Sequence, residues 1–205
     1  EYFGINFEIT EEYSRGEEAS YGLIMQYSHD WNSGAKFKVE TSFREKPVLP
    51  LAERLIIREL YFRYCEIEPF TVACLQLEEV LAEKIRAAFQ RSRARDLYDL
   101  YLLSKKPYDK GKVRALAVVK CWNARDPFDP SLLFQKIENE RYDWSDLESL
   151  VRTKSLPSEK GVIKSVLDSY SYLEDLNGIL TDIIRDSKSH RHSDLVCALC
   201  DKLSS

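Results

Sequence analysis

A lysine among apolar residues at helical spacing, and two aspartates three positions apart, are the groups in this chain best placed to do chemistry. At about 100° per residue, Leu77, Val80, Leu81, Ile85 and Ala88 fall on one apolar stripe, with Lys84 between Val80 and Ala88 and Arg91 near the edge. An ammonium centred on such a stripe is costly unless an anion faces it or it opens on a cleft. Two uses fit: a snorkelling lysine with a structural salt bridge, to Glu40 or a nearby aspartate, or a cation aimed at phosphate. The aspartates follow in Arg95-Asp96-Leu97-Tyr98-Asp99. Their spacing predicts Asp96 as the N-cap of a helix beginning at Leu97, and Asp99 as an i, i+4 partner of Arg95. Neither role excludes a second, because an aspartate held by arginine keeps its charge and can hold a metal or order a substrate group.

These groups lie in the most basic part of the chain. From Lys84 to Arg114 there are ten basic and three acidic residues, a local +7 within a formal net charge of −4. The overall balance points to no nucleic-acid or membrane partner, whereas the local one marks a candidate phosphate-facing surface. Tyr98 and Tyr101 beside this run, like Tyr170 and Tyr172 further on, could stack bases or line a core.

The elements that must position them follow from composition and period. With 205 residues, 44% hydrophobic and 31% charged, the chain is long and apolar enough for a packed core. Seven Gly and seven Pro are too few for an all-β fold with many turns, so helices should dominate. Residues 2–9 and 21–27 read as strands separated by an acidic stretch, and in 37–44 the alternation predicts a strand with Phe37, Val39, Thr41 and Phe43 facing a core. A helical turn or two is expected around 51–60, and a strand at 70–75. Beyond residue 75 the period becomes helical, over 77–90, 97–104, 112–122, 131–138, 146–152, 159–186 and 193–203. Asp129-Pro130 and Pro157-Ser158-Glu159 mark two helix starts. The expected fold is α/β: a partial mixed sheet with packed helices over residues 1–106, then an all-helical domain over 107–205.

Five scattered cysteines are no disulfide framework and favour a reducing, cytoplasmic setting. No apolar run approaches the ~20 residues of a membrane span. The chain begins Glu1-Tyr2-Phe3 without an initiator Met or a leader, as expected of a fragment or a processed chain.

The segment from Leu77 through Glu83-Lys84-Ile85-Arg86 to Arg91, continuing into Arg95-Asp96-Leu97-Tyr98-Asp99-Leu100, resembles the downstream signature of the AbiEii/AbiGii nucleotidyltransferase toxins. The strand around Lys38-Val39-Glu40 is similar to that family's middle motif. The resemblance implies a polymerase-β-like nucleotidyltransferase that moves a nucleotide from an NTP to RNA, with tRNA as the expected acceptor, and acts as the toxin half of a type IV toxin-antitoxin or phage-defence pair. It assigns Lys84 to the triphosphate and Asp96 to the acid beside it. Arg91, Arg95, Arg44 and Lys38 would support phosphate or RNA, and Glu40 would be an additional carboxylate for Mg2+. The family's first motif, a Gly-Ser or Gly-Thr turn followed by Asp-x-Asp, is not among the 205 residues. Those acids are the principal metal ligands in the family, so the chain as given is expected to be inactive alone. The contrasting expectation is a non-catalytic module binding nucleotide, RNA or an antitoxin.

Two rival constellations remain. Arg185 and His190 have the Arg, four residues, His spacing of HEPN-type ribonucleases, where such a pair stabilises phosphate and moves a proton. His190, His192, Cys197 and Cys200 have zinc-ligand chemistry, although cysteines at i, i+3 on a helix are more often apolar packing than a knuckle.

Overall fold

Alternating side chains and short connections turn the first part of the chain into a three-stranded antiparallel meander, β1 (Asn6–Arg15), β2 (Ser20–His29) and β3 (Asn32–Ser42), in the order β1-β2-β3. The structure is a computed structural model that describes residues 5–16, 20–29, 32–43, 45–56, 62, 68–145, 147, 151 and 157–204. It falls into two compact units, Glu1–Lys46 and Pro47–Ser205, each described by itself below.

In the first unit the acidic stretch expected to separate two strands is itself strand. Glu11 and Glu12 pair with Ile24 and Leu23 after a bulge at Ile9/Glu11. Carboxylates are tolerated there because this strand is largely exposed, and Glu12 accepts a hydrogen bond from the Tyr21 hydroxyl at 2.8 Å. Gly22 is required by a close approach: a Cβ at this position would run into the Tyr13 ring. Phe7, Tyr27 and Phe37 meet on one face of the sheet with ring centroids 6.1–6.4 Å apart. This face was expected to be core, yet Phe37 and Val39 stay 39% and 40% exposed.

The second unit opens with a short antiparallel ribbon, β4 (Ala52–Leu55) on β5 (Thr71–Cys74). The helical turn expected around 51–60 is therefore a strand at its start, pinned by the Thr71 hydroxyl donating to Glu53 at 2.6 Å. Seven α-helices follow among the described residues: α1 (Leu77–Gln90), α2 (Ala94–Leu103), α3 (Lys110–Asn123), α4 (Pro130–Asn139), α5 (Glu159–Tyr170), α6 (Gly178–Asp186) and α7 (Ser193–Ser204). Two starts are capped as their sequences imply: Asp129 accepts from Ser131 N and Leu132 N, and Ser158 accepts from Gly161 N. The single helix expected over 159–186 is broken. A 3-10 turn (Ser171–Glu174) ends α5, and Asn177 begins α6 by accepting from Leu180 N. Of the helix expected at 146–152 only Leu147, in helical conformation and accepting from Val151 N at 3.0 Å, and Val151 are described, and the end of the segment at 51–60 lies outside the described residues.

α1 packs on α2, α3 and α4, and α2 on α5, so the helices on both sides of residue 106 share one core built on Leu81, Ile85, Leu97, Leu100, Leu116 and Leu133. Tyr170 ties α5 to α2 by donating its hydroxyl to Leu100 O at 2.9 Å. The buried line of α1 is Leu81, Ala82, Ile85, Ala88 and Phe89, with Leu77 and Val80 only half-buried. The apolar stripe is thus rotated from the expected one, and Lys84 stands at its edge rather than its centre. The rotation brings Glu79 inside, where a partner on α3 holds it.

Candidate functional site

Lys84 and Arg91 project from the last two turns of α1 and from its C-cap, toward the first turn of α2. Between the two helices runs the short link Arg91-Ser92-Arg93, and extended backbone at Arg91 (φ −147°, ψ 160°) turns the chain. Asp96 is not the N-cap of α2, because the helix already begins at Ala94, behind Arg93. Asp96 instead lies in the first turn, its side chain only 1% exposed. Arg91 grips it with a planar fork: Nε donates to Oδ2 at 2.7 Å and Nη2 to Oδ1 at 3.0 Å. That carboxylate holds the Arg91 guanidinium still more firmly in its charged form.

Lys84 completes the cluster. Its ammonium lies 2.5 Å from Asp99 Oδ2 and 3.7 Å from Asp96 Oδ1. Asp99 therefore pairs across helices with Lys84 and not along its own helix with Arg95. The reason is reach: a lysine on the edge of the stripe can cross to α2, and Asp99 is one turn beyond Asp96. The Lys84 side chain is 31% exposed, so the ammonium retains an open side. Arg95 is half-buried on α2 and makes no side-chain ion pair or hydrogen bond among the described residues. Chemically this is a desolvated carboxylate that fixes two cations at the edge of a surface, where an incoming phosphate can compete with Asp99 for Lys84.

The first unit carries Lys38 and Glu40. The Lys38 ammonium lies 2.7 Å from Glu40 Oε1 and over the Tyr13 ring, and the Tyr13 hydroxyl donates to the same oxygen at 3.0 Å. Those hydrogen bonds, from Lys38 first, hold the Glu40 carboxyl below its ordinary value. Arg44 lies outside the described residues.

The acids present do not fit the Mg2+ that the resemblance implies. Asp96 has both oxygens taken by Arg91, Asp99 is bound by Lys84, and Glu40 by Lys38 and Tyr13. Among the described residues no group of three or more His, Cys, Asp or Glu is arranged to hold a metal ion. No step of a reaction is therefore routed through a metal on these side chains.

Two further polar clusters escaped the sequence reasoning. Lys120 of α3, 2% exposed, lies 2.7 Å from both Glu79 and Glu83 of α1, and Glu79 also accepts from Val48 N and Leu49 N. Burial opposes the charge on Lys120, but the hydrogen bonds to Glu79 and Glu83 outweigh it and leave the ammonium harder to deprotonate. A lysine inside Val118-Val119-Lys120-Cys121-Trp122 was the available signal, since a charge in an apolar run needs a partner. The second cluster surrounds Asp186, which accepts from the Ser189 hydroxyl, Arg191 N, His192 N and the Trp122 indole at 2.6–3.1 Å. Burial alone would push its pKa up, yet these donors hold the carboxyl well below the usual carboxylate range.

That second cluster takes up the histidines of the rival constellations, His190 by its ring and His192 by its backbone N–H, but not Arg185. His190 stacks on Trp122 with ring centroids 3.8 Å apart, and its Nε2 is 2.7 Å from Trp122 O, so this nitrogen carries the proton and donates. Arg185 points to Asp182 at 3.5 Å on an exposed face. Neither is presented with the other toward a substrate.

Residues 1–184 match the family model described as "Nucleotidyl transferase AbiEii toxin, Type IV TA system". No curated protein matches the chain. Among solved structures it is similar to MenT4, a nucleotidyltransferase toxin from Mycobacterium tuberculosis H37Rv, with a TM-score of 0.78 at 21% identity, covering 98% of this chain and 69% of that one. At that identity the likeness establishes the fold, mixed α/β with a small antiparallel sheet followed by helices. No helix among the described residues is long and apolar enough to cross a membrane. With nine-tenths of its length inside one family model, the chain belongs to the AbiEii family of type IV toxin-antitoxin nucleotidyltransferases.

Proposed function

We propose that this chain is the nucleotide- and RNA-contacting part of a toxin that transfers a nucleotide from an NTP to RNA, with tRNA as the acceptor. The observation that carries it is the Arg91, Asp96, Lys84 cluster: a buried carboxylate holding two cations, one of which keeps an open side. Phosphoryl chemistry asks the protein chiefly for positioning and for positive charge at the phosphates. Lys84 moves from Asp99 to the triphosphate, Asp96 fixes the Lys84 and Arg91 side chains, and Arg91 and Arg95 meet phosphate or RNA. In this scheme residues 1–106 are a partial nucleotidyltransferase domain and 107–205 its helical companion. The Mg2+ of the reaction belongs to the family's Asp-x-Asp acids, which the 205 residues do not contain, so the chain alone is inactive. In this reading the partner is a cognate antitoxin and the setting is cytoplasmic, and the type IV designation of the family supports the first.

The experiment uses the full-length protein with labelled NTPs and total tRNA. Lys84→Ala and Asp96→Asn are each expected to lower label transfer at least about 100-fold, and growth arrest with it, while circular dichroism stays that of the parent. Undiminished transfer by folded variants overturns the assignment. The full occupation of Asp96 and Asp99 by cations also supports a second reading, a module that binds nucleotide without chemistry. In that case NTP binding survives in the full-length protein with no label on any RNA.

A further inference from the structure

We infer that the outward face of α2, beside Lys84, is a stacking platform for a single-stranded RNA end. This deepens the reading above by naming the form in which the acceptor is held.

Helix α2 buries Ala94, Asp96, Leu97 and Leu100, which leaves Arg95, Tyr98 and Leu102 on the opposite side. Asp99, the partner of Lys84, borders this face on one side, and Tyr101 borders it on the other. Tyr98 and Tyr101 are half-buried with ring centroids 6.2 Å apart and planes inclined by 30°. Both rings also lean on the core, so their positions are fixed before any ligand arrives. Leu102 is 41% exposed, an apolar side chain on a helix face otherwise made of rings and cations.

Cations flank the rings. The Lys105 ammonium sits 3.7 Å from the Tyr101 ring centroid and has no carboxylate partner among the described residues. Arg95 is likewise without one. The local +7 of residues 84–114 makes a polyanion the electrostatic complement of these unpaired cations. Aromatic rings that bases can cover, bordered by cations that follow a phosphate backbone, are how proteins hold single strands without reading their sequence. A duplex offers no free base faces except at its ends. Round α2 the face passes from Asp99, the partner of Lys84, through Arg95 and Leu102 to Tyr98, so a strand stacked on Tyr98 lies on the same helix that holds the Lys84 ammonium.

The test is binding alone, without NTP or metal. A fluorescein-labelled single-stranded oligoribonucleotide with a free 3′-hydroxyl is titrated with the full-length protein, and anisotropy is read at several KCl concentrations. Tyr98→Leu is expected to weaken binding about 5- to 150-fold, and Tyr98→Phe by less than about twofold. Lys105→Gln, an exposed change that does not test the fold, is expected to lower the slope of log affinity against log salt by about 0.7. Equal affinity for a blunt RNA duplex, unchanged binding in both Tyr98→Leu and Lys105→Gln, or a Phe variant as weak as the Leu variant overturns the platform. So does a purified antitoxin that loses affinity for Tyr98→Leu while the RNA does not. If Lys84→Ala abolishes label transfer and the tyrosine variants bind RNA normally, the platform fails and the transferase stands. If the platform binds RNA and the full-length protein transfers nothing, the reverse holds.

Discussion

Lys120 and Lys84 are each held by two carboxylates, and they differ in what surrounds those carboxylates. Around Lys120 the ammonium itself is closed off at 2% exposed: Glu79 is 1% exposed and takes two backbone N–H groups as well, both ion-pair distances are 2.7 Å, and only the outer carboxylate, Glu83, reaches solvent. Around Lys84 only Asp96 is buried, the nearer partner Asp99 is 38% exposed, and the ammonium opens to one side. An ion pair that has lost its water cannot exchange partners cheaply, and so it fixes structure. One that keeps part of its hydration can trade a carboxylate for a phosphate. The same helix, α1, thus contributes carboxylates to a locked cluster and a lysine to an open one, on opposite edges of its buried stripe.

The largest effect should come from breaking the locked cluster. Lys120→Met leaves Glu79 with its charge buried and only the two backbone donors to serve it, and unfolding by urea is expected to register a loss of about 3–5 kcal/mol. A loss below about 1 kcal/mol would mean that Lys120 is far better hydrated than its geometry indicates. The pH dependence sharpens this. Lys120 has a folded value raised above its unfolded one, so its contribution is whole below about pH 10.4 and is lost as pH climbs through the folded value. Glu83 has a lowered folded value: burial pushes it up, but Lys120 and Arg86 outweigh that. Its contribution is present above about pH 4.3 and is lost on acidification through the folded value. The stability gap between parent and Lys120→Met should therefore be widest near neutrality and narrow at both ends. A gap that stays flat from acid to alkali would contradict the pairing.

Next in size is Asp96→Asn. It keeps the shape of the buried side chain but removes the charge that binds the Arg91 fork, and the expected cost is about 1.5–3 kcal/mol in urea unfolding. Because Asp96 belongs to the open cluster, transfer by the full-length protein should fall far more than stability does. A variant that unfolds easily yet transfers normally would move Asp96 out of the site and into the scaffold.

How far these clusters were legible beforehand differs in the same way. The helical period located α1 to the residue, and the Asp129-Pro130 and Ser158 caps were visible because capping is local chemistry. Lys84, Arg91 and Asp96 stood out because short motifs place them in one segment. Glu79 and Lys120 did not, since their contact joins positions 41 residues apart and depends on how α3 lies on α1. The same long-range packing rotated the stripe of α1, moved Asp99 from Arg95 to Lys84, and made strand of the segment at 52–55, whose partner begins at Thr71. The acidic half of β1 was missed for another reason: an exposed strand has no buried face for alternation to mark.

The smallest effects test whether openness, and not charge pairing as such, marks the site. Lys84→Met removes the ammonium from a half-exposed position, where Arg91 still neutralises Asp96, so stability should fall by no more than about 1 kcal/mol while transfer collapses. Arg185→Ala removes a cation that is 76% exposed and 3.5 Å from Asp182, and it should change unfolding by about 0.5 kcal/mol at most, with toxicity intact. The two substitutions both delete a solvent-touching cation of an ion pair and differ in how exposed that cation is and in what lies behind the carboxylate. Behind Asp96 is a guanidinium fork and the core, which fix the Lys84 ammonium at one place; behind Asp182 is solvent, which fixes nothing. Loss of toxicity in Arg185→Ala, measured by growth arrest beside Lys84→Met, would show that an exposed surface arginine does the work assigned to the fixed cluster, and would return the Arg185 and His190 constellation to consideration.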